Sequence, residues 1–263
     1  MFEKVSWQIV VLGFALLLEP IMILSLPVRA ASESILQEHL ALKQRKLLAV
    51  KHHHPIHFTV PNITPSQNLR GGSPAGICSI AGEPRITVVA LMPSTNIGLT
   101  VAEKPTIFFR VSKTSVQEAQ FKLLDEKGDT IIYEKNLPLT DTGDVRSFTL
   151  PADAPALEIG KEYQWELVVN CDPDDPNGNP RVRTAIKRVQ PSSTLVSKLA
   201  QAKLSDRPDL YAQEGIWIDA LSTLAQLRVA NPNDSELKEE WISLLKSVGL
   251  QEIAKMPVMD SVP

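Results

Sequence analysis

The fold is decided by residues 163–171, which read YQWELVVNC. Apolar residues occupy every second position of this run, they alternate with Gln164 and Glu166, and the same face continues to Cys171. A period of two is that of a β-strand with one buried face. The stretch therefore predicts a core strand whose last inward-pointing side chain is Cys171.

Six further runs in the same region have the composition of strands. They are residues 86–91, 106–111, 120–124, 130–135, 147–150 and 181–189. Residues 125–129, DEKGD, predict a hairpin turn between two of them. Seven short strands without a helical insert predict an antiparallel β-sandwich of immunoglobulin-like type over residues 77–191.

Beyond Pro191 the apolar period becomes helical, which predicts a small C-terminal helical module over residues 192–263. We expect helices within 195–204, 210–229 (one helix or a pair) and 237–248. Six residues have the offsets of one tetratricopeptide unit: Tyr211, Gly215, Ala220, Leu224, Leu227 and Pro232. An ordinary helical hairpin is the alternative. The expected class is therefore mainly β with α.

Residues 1–30 have the pattern of an export signal. Lys4 precedes two apolar runs, and Val28-Arg29-Ala30 predicts a cut before Ala31. The alternative is an uncleaved membrane anchor. Glu19 in the middle of the apolar stretch disfavours an anchor, because a carboxylate near the bilayer centre costs about 3 kcal/mol. We expect a periplasmic or secreted protein without a membrane span after cleavage.

Residues 31–76 predict a short helix followed by a flexible linker. Ser34 and Gln37 have capping-box spacing before leucines at roughly helical intervals. Residues 52–76 then become rich in proline and glycine, with few apolar residues to offset the entropy of ordering.

The charge balance excludes two classes of partner. With 27 Lys and Arg against 30 Asp and Glu, the formal net charge is -3. Binding to nucleic acid or to an anionic membrane surface requires an excess of basic residues. We expect neither, and no sequence motif indicates a cofactor.

The chain has two cysteines, Cys78 and Cys171. In an exported protein such a pair is typical of a structural disulfide rather than of a metal site. The bridge would hold the segment before the first strand against the strand that ends at Cys171.

Two groups of residues have side chains that bind metals. The first contains His52, His53, His54 and His57; the second contains Asp172, Asp174 and Asp175. The histidines lie in the predicted linker, where no fold would hold ligands in place. The aspartates do not have the spacing of a calcium loop, and Asn177-Gly178 beside them favours a solvated hairpin with a primed turn. We predict no metal site at either group.

Five stretches together resemble a known family. They are residues 93–100 (PSTNIGLT), 104–109, 157–165, 171–173 and 211–227. The chain is similar over residues 70–258 to the cyanobacterial proteins grouped as domain of unknown function 928. This resemblance implies an exported protein of unassigned activity, and it supplies no catalytic residues.

The leading hypothesis is a non-catalytic interaction or scaffold protein of the cell envelope that binds another exported protein. The groove lined by the first helix of the tetratricopeptide-like unit is the expected contact surface. Its candidate residues are Tyr211, Gln213, Glu214 and Trp217, although Trp217 can equally be buried.

Two alternatives come from other functional classes. A glycan-binding sandwich would need exposed aromatic rings, and one of Phe108 and Phe109 could supply a ring because they face opposite sides of a strand. An envelope hydrolase would need a nucleophile elbow at residues 71–75, GGSPA, where a strand before and a helix after are missing from the predicted pattern.

Overall fold

The computed structural model describes residues 55–65, 80, 82–140, 143–172 and 174–261. Nine strands and four helices lie in this part of the chain. The strands are β1 (Val88–Ala90), β2 (Ile97–Thr100), β3 (Thr106–Val111), β4 (Glu118–Leu124), β5 (Ile131–Pro138), β6 (Val145–Thr149), β7 (Glu162–Val169), β8 (Arg181–Arg188) and β9 (Val258–Ser261). The helices are α1 (Ser193–Gln201), α2 (Arg207–Gln213), α3 (Trp217–Ala230) and α4 (Ser235–Lys246). None of the described helices is long and apolar enough to cross a membrane.

The strands form two sheets, with the orders β1-β3-β6-β9 and β2-β8-β7-β4-β5. The predicted class, mainly β with α, is confirmed. Five of the seven described strand pairs are antiparallel, but β2 pairs with β8 and β6 pairs with β9 in parallel. The prediction of a purely antiparallel arrangement is wrong at these two pairs. Parallel pairing requires a long connection, and here a long stretch of chain separates the two strands of each such pair.

The predicted hairpin connects β4 to β5. The Asp125 carboxylate accepts hydrogen bonds from the backbone N–H groups of Asp129 and Thr130, at 2.9 and 3.2 Å. These bonds favour the ionised form and lower the pKa of Asp125. Gly128 takes a positive φ of 77° at the turn, a conformation that glycine adopts without strain.

Aromatic side chains fill the space between the two sheets. The Phe121 ring on β4 lies 4.8 Å from the Phe148 ring on β6 and 6.3 Å from Trp165 on β7. All eight residues of β7 are buried, including the polar ones predicted to alternate with the core face. Glu166 is covered because its carboxylate pairs with Arg183 at 3.2 Å on the neighbouring strand.

The helices cover the outer face of the sheet that contains β3. The Phe108 ring packs against Trp241 of α4, with ring centroids 6.4 Å apart, while Phe109 on the opposite face is also buried. The expectation that one of these two rings is exposed is therefore wrong. A helical layer on a second sheet face adds apolar surface that the strand pattern alone does not reveal.

Helix α3 also approaches β2 closely, and Gly98 permits this approach. A Cβ atom at Gly98 would lie 2.8 Å from both the Ile218 Cδ1 and the Met92 Cε atoms. Gly98 belongs to the stretch PSTNIGLT, so that stretch includes the strand surface on which α3 rests.

Residues 55–61 differ from the linker that the sequence predicts. Ile56 and Phe58 are buried in the core. The Ser243 hydroxyl donates to the Ile56 carbonyl at 3.0 Å, and the backbone N–H of Thr59 donates to the Ala212 carbonyl at 3.0 Å. Burial of Ile56 and Phe58 against the helices offsets the entropy of ordering this segment. Residues 52–54 and 66–76 of the predicted linker, and the predicted short helix, lie outside the described residues.

The described strands and helices belong to one compact unit. The domain boundary expected near residue 191 stays a prediction. Within this unit the predicted 210–229 element is a pair of helices, α2 and α3. Gly215 turns the chain between them with a φ of 73°. Ala220 and Leu224 are buried on α3, as their places in the repeat pattern predict.

Candidate functional site

The four residues predicted to contact a partner lie at the end of α2 and the start of α3. Gln213 and Glu214 are exposed and Tyr211 is half-buried. Trp217 is fully buried: its indole N–H donates to the Leu91 carbonyl at 2.7 Å. Trp217 is therefore a core residue, and the contact role stays a prediction for the other three.

Residues 55–61 of the chain cross the face of the helices on which the contact groove was expected. The Phe58 ring of this segment meets Trp217 edge-on, with centroids 5.0 Å apart, and its Pro61 packs on Gly215. The same segment is also held at the end of α4, where the hydroxyl of the capping residue Ser247 accepts the backbone N–H of Phe58 at 3.2 Å. Residues 55–61 thus occupy part of that groove, and the open surface lies beside them.

This open surface, which we call the acidic groove, runs along α4. It has a volume of about 540 Å³. Its lining is formed by Pro55, His57, Glu236, Glu239, Glu240, Ile242, Ser243, Lys246 and Ser247. Three carboxylates against one lysine give the groove a negative charge, which favours a cationic ligand. Glu236 and Glu239 are exposed, so a ligand can reach them from solvent.

A second groove, which we call the β9 groove, lies between α3 and the last strand. Two adjoining cavities of about 310 and 330 Å³ share Val229, Val258 and Met259. Phe108, Ser147, Ala225, Gln226 and Ala230 complete the first, and Arg228, Asn231, Pro232, Asp234, Lys238 and Pro257 complete the second. The first cavity is mainly apolar and the second contains two cationic side chains.

Arg228 is held in place at the cationic end of the β9 groove. Its guanidinium lies 5.0 Å from the centroid of the Trp241 ring, within the range of a cation–π contact. Burial lowers the pKa of Arg228, since the charged group is partly removed from water. Arg228 was not predicted as a site residue; its signal in the sequence is a cation within the apolar run of α3.

Asp219, also missed, is a buried carboxyl group in the first turn of α3. Its Oδ2 atom accepts the backbone N–H of Val101 at 3.1 Å, which connects the helix to the end of β2. Burial raises the pKa of Asp219 to about 6, despite opposing hydrogen bonds from Thr100 and Val101. The Thr100 side chain and the Val101 backbone N–H both bond to this carboxyl group, so Asp219 joins the start of α3 to the end of β2.

The acidic loop after β7 uses its side chains for local turns. The Asp172 carboxylate accepts the N–H groups of Asp174 and Asp175, and the Asn179 side chain accepts that of Asp172 at 2.8 Å. Residues 176–178 form a 3-10 turn, so the primed two-residue turn predicted at Asn177-Gly178 is wrong. The longer connection leaves room for the Asn179 side chain to bridge the loop.

Of the four histidines considered as metal ligands, one lies within the described residues. His57 is exposed beside the acidic groove, whereas His52, His53 and His54 lie outside the described residues. Within the residues that the structure describes, no group of three or more histidine, cysteine or carboxylate side chains is placed to hold a metal ion.

Cys171 follows β7, is partly buried and packs against the core, as its place in the strand pattern predicts. The described part of the chain contains no free cysteine. Cys78 lies outside the described residues, so the bridge between the two cysteines stays a prediction.

These features define a class: a two-sheet β protein with a helical layer, whose described surface carries two grooves. The family model described as Domain of Unknown Function (DUF928) matches residues 69–258, most of the chain. The protein belongs to this family. No curated protein matches the sequence.

Two solved structures show only weak similarity. An engineered protein from a structural genomics consortium has 19% identity and a TM-score of 0.28, with 40% of this chain covered. The match spans only 20% of that protein's length. A multi-domain immunophilin from Arabidopsis thaliana has 6% identity and a TM-score of 0.15, covering 75% of this chain and 97% of its own. Scores this low carry no argument about fold or function.

Proposed function

We propose that this protein is an exported, non-catalytic interaction protein of the cell envelope that binds another exported protein through the acidic groove. The observation that carries the proposal is the groove itself: an open cavity of about 540 Å³ with three glutamates, beside a segment that already closes the neighbouring helical surface. The proposed partner presents a lysine- or arginine-bearing segment, because opposite charges steer association and fix its orientation.

The burial of the aromatic rings weighs against the glycan-binding alternative. Among the described residues every phenylalanine and every tryptophan is buried: Phe58, Phe108, Phe109, Phe121, Phe148, Trp165, Trp217 and Trp241. Stacking on a sugar requires an exposed ring face. Of the phenylalanine, tryptophan and tyrosine rings that the structure describes, only those of Tyr133 and Tyr211 are partly exposed, and they are not sufficient to form a flat platform.

The strand order supports an immunoglobulin-like sandwich as the scaffold of this interaction protein. Strands β8, β7 and β4 are adjacent in one sheet, with β5 beside β4, and β1, β3 and β6 are adjacent in the other. This grouping favours an immunoglobulin-like arrangement, in which β1 and β2 would together take the place of the first strand. The α2–α3 hairpin, with Gly215 at its turn, similarly supports a single tetratricopeptide-like unit.

Neutralising the acidic groove tests the proposal. A carbodiimide joins glutamates to partner lysines without a spacer, so we expect a crosslinked adduct in the native envelope fraction. The double variant Glu236→Gln/Glu239→Gln should lose this adduct, because both exposed carboxylates that attract the partner are removed. The measurement is immunoblotting of the crosslinked fraction, followed by mass spectrometry of the adduct.

The matched control is Glu126→Gln/Glu134→Gln, which removes two exposed carboxylates at the β4–β5 hairpin and leaves the groove unchanged. An adduct that persists in the groove variant, or that disappears equally in the control, would sink the assignment of the groove. Point variants are preferable to deletion of the helices, because the helices share one core with the sheets.

The expected export signal and disulfide predict two features of the covalent structure: the first residue of the protein and its intact mass. If Val28-Arg29-Ala30 directs cleavage, the protein purified from its native source begins at Ala31. If Cys78 and Cys171 are bonded, its intact mass is lower than that of the reduced form by two hydrogens. A full-length mass in the membrane fraction after carbonate extraction would favour the anchor, and thiol labelling of both cysteines without reductant would exclude the bridge.

A further inference from the structure

We propose that the β9 groove binds an extended peptide segment of a partner protein in which an aliphatic side chain lies next to a carboxylate, and that Arg228 and Lys238 bind this carboxylate. This site is separate from the acidic groove and has the opposite charge. The inference depends neither on export nor on the partner proposed for the acidic groove.

The two parts of the β9 groove are continuous and differ in polarity. They share Val229, Val258 and Met259, so a single extended ligand can contact both. Val229 is 44% exposed and lines both cavities, so its aliphatic side chain is accessible to a ligand. An apolar wall beside two cations fits a ligand that carries an aliphatic group and a negative charge.

Arg228 supplies the most specific part of the argument. Its Nη1 atom is buried, and it has no hydrogen-bond acceptor among the described residues. A guanidinium nitrogen that is removed from water without an acceptor is unfavourable, and a carboxylate bound to the part of Arg228 that lines the cavity would offset this cost by its negative charge. The contact with the Trp241 ring already fixes the guanidinium plane, which reduces the entropy lost when a ligand binds.

The acidic side chain in the groove, Asp234, has its carboxylate in use at the start of α4. Its Oδ1 atom accepts the backbone N–H groups of Glu236 and Leu237, at 2.9 and 3.2 Å. This capping geometry turns the carboxylate towards the helix end. Arg228 and Lys238 therefore give this end of the groove its positive charge.

The strand at the groove favours an extended ligand over a compact one. β9 is the last strand of its sheet, and within the described residues no further strand pairs with its outer edge. An extended segment can add backbone hydrogen bonds along such an edge, while side-chain pockets supply specificity. The apolar part of the groove then accepts the aliphatic side chain, and the cationic part accepts the carboxylate.

The experiment is selection of a random heptapeptide display library on the purified protein, followed by fluorescence anisotropy with the most enriched peptide. We expect enriched peptides to carry Asp or Glu next to Val, Leu or Ile. The variant Arg228→Gln should weaken binding by about tenfold or more, since a desolvated charge pair is lost. Val229→Glu, an exposed change that places a like charge on the groove wall, should abolish binding even if the arginine variant is unstable.

The control Lys198→Gln removes an exposed cation of α1 and should bind as the wild type does. Enriched peptides without carboxylates would overturn the proposal, as would equal affinity for wild type and Val229→Glu. Self-association of the wild type that is lost in Arg228→Gln, measured by sedimentation velocity, would assign the groove to a second copy of the chain instead. The crosslinking experiment measures binding at the acidic groove by a separate readout. A negative result at one groove therefore leaves the proposal for the other groove unchanged.

Discussion

Replacing Trp217 with alanine is expected to lower the free energy of unfolding by about 3–5 kcal/mol, the range for removal of a large aromatic side chain from a core. Trp217 is fully buried and joins three parts of the protein. It lies on α3, its ring meets Phe58 of the N-terminal segment, and its indole N–H donates to the Leu91 carbonyl after β1. Chemical denaturation monitored by circular dichroism measures the change.

The same substitution should also release residues 55–61 from the helices, because Phe58 loses its ring contact. Limited proteolysis near Phe58 is then expected to accelerate. Val196→Ala is the matched control, since Val196 is 51% exposed on α1 and its truncation should change stability by less than about 0.5 kcal/mol. A loss below about 1 kcal/mol for Trp217→Ala would contradict the joining role of this residue.

Replacing Asp219 with asparagine is expected to remove a pH dependence of stability between about pH 4 and 7. Burial raises the pKa of Asp219 to about 6, from 3.8. The folded state therefore holds the proton more tightly than the unfolded chain does. The resulting stabilisation is fully present below pH 3.8 and is lost as the pH rises through 6. A shift of about two pKa units corresponds to about 3 kcal/mol.

The measurement is the free energy of unfolding of both proteins at several pH values, expressed as wild type minus Asp219→Asn. Subtraction removes the contribution of the other titrating groups. The asparagine oxygen can still accept the Val101 N–H, so the variant should fold and be the more stable of the two at pH 8. If this difference in the free energy of unfolding stays constant from pH 4 to 7, folding does not raise the pKa of Asp219, and the prediction is wrong.

Elements with a regular local pattern could be predicted from the sequence. β3 was predicted at its observed bounds, 106–111, because its β-branched and aromatic residues identify a strand locally. Gly215 identified the break between α2 and α3, and residues 93–100 and 211–227 identified the family. In each case a feature of consecutive residues, either side-chain period or turn chemistry, was sufficient.

The candidate sites were predicted less well. Gln213 and Glu214 were correctly expected at the surface, but the acidic groove depends on α4 and on residues 55–57, which are far apart in the chain. In the sequence alone, Arg228 has the features of an ordinary polar residue near the end of a helix. Its buried Nη1 atom becomes apparent only when Trp241 and β9 are placed around it.

The sequence by itself determined the β-strand and helix types, the family and the expectation of export. Only the tertiary structure decided that residues 55–61 are packed, that Phe108 is covered, and that residues 258–261 form a strand beside β6. The physical reason is that periodicity records which face of an element avoids water, but not which distant segment covers it. Short segments such as β9 are ordered by the surface on which they pack, and that surface exists only once the chain has folded.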